Sequence, residues 1–327
     1  MNERQAGRDG GPLVSVVLPV YNAERYLRQA VLSALDLSVR TEVLLVEDGS
    51  PDGCLAVCRQ LAAQHEAVRL LRHADHANHG CSASRNAAIR AARGDYVAFL
   101  DADDYYLPNR FDVDVPMLEA DPGLDGVYGA VGVVYEPGGP PASSPERHRV
   151  TVDGVILPED LFEAFVRGDR GWFRVEGITV RREVFDAVGL FDERLPIAQD
   201  RAMWLRMAAA CRLAGGSIVE PIAVCRRHPG NRARLEHPLW RDAECEVYST
   251  TLEWAGCVGL EAWKRHRLRE ALILALRHRR LRGLGRAEAF LRVWRRTLRC
   301  QARDPLLLPT IAARWLAARL GVRRWRT

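Results

Sequence analysis

Between residues 14 and 100 four short apolar runs are separated by three stretches of polar turn and helical spacing, and this alternation constrains the fold more than any single motif. The runs are residues 14–20, 42–46, 67–71 and 96–100, rich in Val and Leu on both faces as a strand buried in a parallel sheet requires. The first intervening stretch, residues 24–37, repeats Tyr26, Leu27, Ala30, Val31 and Ala34 at helical spacing, with Asn22 placed to cap it. The second, 51–65, carries Leu55, Val57, Cys58 and Leu61, and the third, 82–92, opens on small residues. This order predicts an α/β fold with a mostly parallel central sheet flanked by helices. Ligands of such sheets bind beyond the carboxyl ends of the strands. There the sequence puts Asn22, Asp48 and Asp101.

Further on, the Pro- and Gly-rich residues 137–145 predict a loop, 157–166 a helix and 177–180 a strand. After about residue 231 the pattern changes to arginine-studded helical segments broken by Gly283, Gly285, Pro305 and Pro309. The expected organisation is a flexible N-terminus over 1–12, a main domain over 13–235 and a basic helical C-terminal region over 236–327, with no internal repeat. Charge follows that division. Residues 236–327 hold 20 Lys or Arg against 9 Asp or Glu, and the remaining 27 basic and 33 acidic residues leave 1–235 acidic. Basic tails seek phosphate and clustered acids hold metal. The 8 cysteines have no zinc-site spacing, and no signal-peptide pattern opens the chain, so a cytoplasmic location is expected. No apolar run reaches the roughly 18 residues of a membrane-spanning helix, so any membrane contact is peripheral.

Three segments carry chemistry. Residues 99–104, Phe-Leu-Asp-Ala-Asp-Asp, run an apolar strand into three carboxylates. Read as extended chain, alternate residues share a side, so Asp101 and Asp103 converge on one cation and Asp104 diverges. Hard oxygen ligands suit Mg2+ or Mn2+, which bridge protein to substrate phosphates; the plain alternative is a solvated acidic turn. In Val46-Glu47-Asp48-Gly49-Ser50 a carboxylate ends another strand, where it either accepts from a base or ribose or caps the next helix. In Cys81-Ser82-Ala83-Ser84-Arg85-Asn86 a helix start offers N–H groups and Arg85 to an anion, unless Ser82 is only a cap.

These blocks, with Val14-Ser15-Val16-Val17-Leu18-Pro19-Val20-Tyr21-Asn22 before them and Gly94-Asp95-Tyr96-Val97-Ala98 leading into the 99–104 carboxylate run, resemble family 2 glycosyltransferases of the GT-A fold over residues 13 to 230. The resemblance implies a nucleotide-sugar donor, most commonly a UDP-sugar, and a divalent metal. It puts Tyr21 against the base, Asp48 on the base and Arg85 near the nucleotide. Pro19, Asn22, Ser82 and Ala102 would line the nucleotide. Asp101 would meet ribose or metal-bound water, and Asp103 would be the principal metal ligand. Glu47 departs from the aspartate often found there. The residue that deprotonates the acceptor would be Asp200, in Gln199-Asp200 where the family usually has Glu-Asp, downstream of Phe191-Asp192-Glu193. Cys225-Arg226-Arg227-His228-Pro229-Gly230-Asn231 resembles a closing segment whose arginine and histidine approach diphosphate and metal, making His228 a candidate ligand.

The implied activity is inverting transfer of a sugar to an acceptor hydroxyl, carbohydrate or lipid-linked, in polysaccharide or glycoconjugate synthesis. Two other readings keep the same pocket: a non-catalytic sugar-nucleotide-binding protein, and a nucleotidyltransferase on a similar fold, whose glycine-rich basic opening loop is missing. No GxGxxG follows the first strand, against a dinucleotide oxidoreductase. The tail has no nucleic-acid-binding motif. Its Arg and Trp pattern suits helices lying on a membrane surface or a bundle packed on protein.

Overall fold

The computed structural model describes residues 11–137, 149–231 and 240–278. Most of the 137–145 loop, residues 1–10 of the expected flexible N-terminus and the basic segments beyond 278 lie outside the described residues. The chain forms two compact units, Met1–Glu193 with Cys211–Arg234, and Arg194–Ala210 with Leu235–Thr327.

The first unit opens with the alternation read from the sequence: β1 (Leu13–Val20), α1 (Glu24–Leu35), β2 (Arg40–Glu47), α2 (Cys54–Gln64), β3 (Val68–Arg72), α3 (Cys81–Ala91) and β4 (Tyr96–Phe99). There follow β5 (Tyr105–Tyr106), α4 (Asp114–Ala120), β6 (Gly126–Tyr128), β7 (Ala130–Tyr135), β8 (Arg149–Val150), α5 (Pro158–Arg167), a 3-10 turn at Val175–Gly177, β9 (Ile178–Arg181) and α6 (Val184–Val188). The unit closes with β10 (Leu213–Gly215) and β11 (Pro221–Arg227). A seven-stranded sheet runs in the order β10-β6-β9-β4-β1-β2-β3. β1, β2, β3 and β4 pair in parallel, and β9 is antiparallel to both of its neighbours, β4 and β6. A second sheet, β5-β11-β7-β8, is mixed.

Burial explains the elements. Val14, Val16, Val17, Leu18 and Val20 are all fully enclosed, so β1 has no solvent face. α1 buries Leu27, Ala30, Val31 and Ala34, the stripe its spacing predicts. Its capping differs from expectation. Asn22 lies at φ 52°, a left-handed conformation Asn tolerates, and does not cap α1. Asp52 does so from the next turn: Oδ2 accepts the Glu24 N–H at 2.9 Å and Oδ1 the Cys54 N–H at 3.1 Å, so one carboxylate serves the starts of α1 and α2. Glu24 returns the contact by accepting the Gly53 N–H at 2.9 Å.

The second unit contains α7 (Gln199–Ala210), α8 (Trp240–Cys257) and α9 (Ala262–His278). Met203, Leu205, Leu252, Ala255, Leu268 and Leu272 are buried, and Lys264 Nζ donates to the Ala209 carbonyl at 2.7 Å, fastening α9 to the end of α7. Among the described residues no helix is long and apolar enough to cross a membrane.

Candidate functional site

The carboxyl ends of β1, β2 and β4 meet the start of α3, and the acidic residues gather there. At the end of β2, Asp48 is 2% exposed, and its oxygens accept the His79 N–H at 2.7 Å and the Gly80 N–H at 2.9 Å. Gly49, at φ +68°, makes this possible: a Cβ there would stand 2.9 Å from the Asn78 nitrogen and 3.0 Å from the Ala77 carbonyl carbon. Asp48 therefore does not cap α2, and its carboxylate keeps unused lone pairs. Glu47 serves a different end: it accepts the Ser50 N–H at 2.6 Å and pairs with Arg72 at 2.9 Å. Pro19 lies within β1, and Tyr21, the residue just beyond it, is 51% exposed.

α3 begins after Gly80, with no side-chain cap. Ser82 is thus not the plain cap its position allows; its Oγ is buried without a hydrogen-bond partner among the described residues. One turn on, Arg85 is 4% exposed, donates to Asp101 Oδ1 at 2.6 Å and lies over the Phe191 ring.

The segment after β4 is not extended. The Asp104 N–H donates to the Asp101 carbonyl at 3.0 Å, closing a turn. This overturns the expected divergence of Asp104. Alternation holds only for extended chain, and the turn returns Asp104 to the side of Asp101, where oxygens of Asp101, Asp104 and Glu176 lie within 4.8 Å of one another. Ala102, inside the turn, is buried. Asp103 faces elsewhere: its Oδ2 meets His228 Nε2 at 3.0 Å and accepts from Asn231 Nδ2 at 3.0 Å. The His228 ring packs on Tyr26, with centroids 4.7 Å apart.

The electrostatics of this corner are uneven. Burial raises the Asp101 carboxyl above its ordinary range although Arg85 pulls the other way. Asp104 is raised further, by burial and then by the charge of Glu176. Burial acts on Glu176 too, but Arg174, at 3.1 Å, prevails and keeps it low. The two neighbouring carboxyls are thus pushed in opposite directions, Asp104 up and Glu176 down. The acids that come together are Asp101, Asp104 and Glu176, carboxylate oxygens of the kind a hard divalent ion takes; Asp103 and His228 form a separate pair of one carboxylate and one imidazole nitrogen.

Asp200 lies in the first turn of α7, in the second unit, and its Oδ1 accepts the Arg201 N–H at 2.8 Å. It follows Ala198, which holds φ 56°, a costly conformation for alanine of the kind found at functional turns. Sequence reading passes over Glu176 and Arg174, because neither lies in a recognisable block. Antiparallel register is what brings them in: Ala98 pairs with Thr179 and Val97 with Val180, so the residues before β9 run alongside the end of β4. No pattern in the sequence around Glu176 singles it out.

Residues 15–188 match the family described as glycosyl transferase family 2. An uncharacterized glycosyltransferase of Rickettsia felis is 30% identical over 203 residues, 60% of this chain and 31% of that protein. Chondroitin synthase of Escherichia coli is 34% identical over 118 residues, 36% of this chain and 17% of that one. The chain thus spans less than a third of these relatives' lengths. Among solved structures, TarS 1-349 of S. aureus in complex with UDP-GlcNAc superposes with a TM-score of 0.58 at 20% identity, over 80% of this chain and 71% of that one. The mannosyltransferase PcManGT of Pyrobaculum calidifontis, in complex with GDP-Man and Mn2+, gives 0.50 at 19% identity over 97% and 91%. The fold is that of the GT-A glycosyltransferases, and with its match covering more than half the sequence the chain belongs to glycosyl transferase family 2.

Proposed function

We propose that this protein is an inverting glycosyltransferase that moves a sugar from a nucleoside-diphosphate donor, a UDP-sugar first among candidates, to a hydroxyl of a carbohydrate or lipid-linked acceptor in polysaccharide or glycoconjugate synthesis. What supports the reading is that Asp48 and Asp101 follow the carboxyl ends of β2 and β4 on either side of β1, that Arg85 donates to Asp101, and that His228 meets Asp103 two residues further on. Tyr21 offers its exposed ring to the base, and Asp48 has acceptor capacity for a base N–H. Pro19, Asn22, Ser82 and Ala102 border the same strand ends. Asp101, Asp103 and His228 are the residues that would hold Mn2+ or Mg2+; when bound, the ion supplies charge neutralisation for the departing diphosphate.

Asp200 is assigned the general base. It takes the proton of the acceptor hydroxyl, whose oxygen attacks the anomeric carbon as the bond to the diphosphate oxygen breaks. One displacement from the opposite face inverts that centre. The assignment rests on the Gln199-Asp200 pattern and on the left-handed Ala198 before it. Residues 13–235 are assigned catalysis, and the basic region 236–327 peripheral contact with an acidic membrane face, where a lipid-linked acceptor would lie. The test is a thermal-shift screen of UDP, GDP and sugar nucleotides with and without Mn2+, followed by product anomer analysis. Stabilisation by none of them sinks the reading, and a retained anomeric configuration sinks the inverting mechanism.

A further inference from the structure

Arg226 has the wrong environment for a residue that meets diphosphate directly. It lies on β11, is 6% exposed, and spends its guanidinium inside the protein. One terminal nitrogen donates to the Asp103 carbonyl at 2.6 Å and the other to Gln29 Oε1 on α1. The plane is held between two rings, 4.5 Å from the centroid of Tyr105 and 5.2 Å from that of Tyr26. Its main-chain N–H donates to Asp104 Oδ1 at 2.7 Å. Two residues on, His228 reaches the Asp103 carboxylate. Antiparallel pairing of β11 with β5, Val224 opposite Tyr105, sets this register.

The turn that carries three aspartates, closed by its own Asp104 N–H to Asp101 carbonyl bond, is therefore also held from β11. Arg226 grips both its main chain and, through its own N–H, the third carboxylate, while the same guanidinium is fastened to α1. We propose that Arg226 is a positioning residue, which anchors the 101–104 turn to α1 so that Asp103 and His228 stand ready at ligand spacing. The idea rests on the glycosyltransferase function proposed for this site. Outer contacts of this kind orient ligands, and losing one typically weakens metal affinity about 10- to 100-fold. Only a planar fork can serve two acceptors and stack between rings at once, so lysine is no substitute.

The test is titration of Mn2+ into the full chain in the presence of UDP, and separately GDP, by calorimetry, beside melting temperature and nucleotide affinity without metal. Arg226→Met keeps apolar bulk between the tyrosines, and Arg226→Lys keeps the charge. Both are expected to weaken Mn2+ affinity about 10-fold or more, with metal-free nucleotide affinity and melting temperature unmoved. Gln29→Leu, at an exposed position, leaves the guanidinium in place and frees one end of it. It carries the test should the Arg226 variants not fold, with a smaller shift in the same direction expected. Unchanged Mn2+ affinity in folded variants overturns the proposal and leaves the glycosyltransferase reading standing. Parallel loss of melting temperature and metal-free nucleotide binding also overturns it, since Arg226 is then only structural. Failure of the unsubstituted protein to bind either nucleotide with Mn2+ overturns both.

Discussion

The two ends of the main sheet hold the same kind of group in opposite conditions. Near the amino ends of the strands, Glu42 of β2 is 6% exposed but fully served: Ser15 Oγ donates to it at 2.6 Å, the Arg93 N–H at 2.6 Å and Arg69 at 2.8 Å. Burial alone would raise its pKa, yet these donors bring it below the ordinary value. At the carboxyl end, Asp104 is buried beside Glu176 and Asp101 is half-buried against Arg85, and both carboxyls are raised. A buried carboxylate given all its donors is structural. Carboxyls crowded together and raised are instead the pattern that marks a candidate functional site.

The contrast breaks most sharply at Asp103. Asp103→Ala should lower transfer by about 1,000-fold or more, the several kcal/mol that a metal-held diphosphate supplies, with the melting temperature unchanged. A variant turning over at the normal rate would put the metal elsewhere. Next, Asp200→Asn should reduce kcat by about 100- to 10,000-fold without altering nucleotide affinity in calorimetry. Weakened nucleotide binding with kcat intact would make Asp200 a binding residue instead.

Glu42→Gln is the opposite case. It should cost about 1–3 kcal/mol in chemical denaturation and leave the folded enzyme's rate alone. Because the folded pKa of Glu42 is depressed, its contribution is present above the unfolded value of about 4.3 and is lost as pH falls through the lower folded value. The gap between wild type and variant should therefore narrow as denaturation is repeated at falling pH. A gap that widens would mean that the folded protein holds this carboxyl above its unfolded pKa, not below it. Smallest of all, Tyr21→Ala should weaken nucleotide binding by about 1 kcal/mol, roughly 5-fold, through lost base stacking. No change in the titration would mean that the base lies away from that ring.

Much of this architecture is legible in the residues themselves. The runs that became β1 to β4 announce themselves because parallel strands buried on both faces must be apolar throughout, and the stripe on α1 because a helix has one buried side. Asp48, Arg85, Asp101 and Asp103 stand out because each ends a strand or starts a helix within a recognisable block. Reading fails where position depends on a partner distant in sequence. Asn22 looks like a cap, but Asp52 holds that place from 28 residues away. Asp104 looks turned away until a single turn bond folds it back. Glu176 has no local mark at all.

From the order of residues alone came the α/β alternation, the family and the set of acids at the strand ends, since hydrophobic period and turn chemistry act over a few neighbours. Tertiary structure alone decided which acid sits beside which, that β9 enters antiparallel and carries Glu176 to the end of β4, and that Arg226 locks the 101–104 turn to α1. Those outcomes depend on strand register and on burial in common, and both are properties of chain segments meeting, which no stretch of sequence holds by itself.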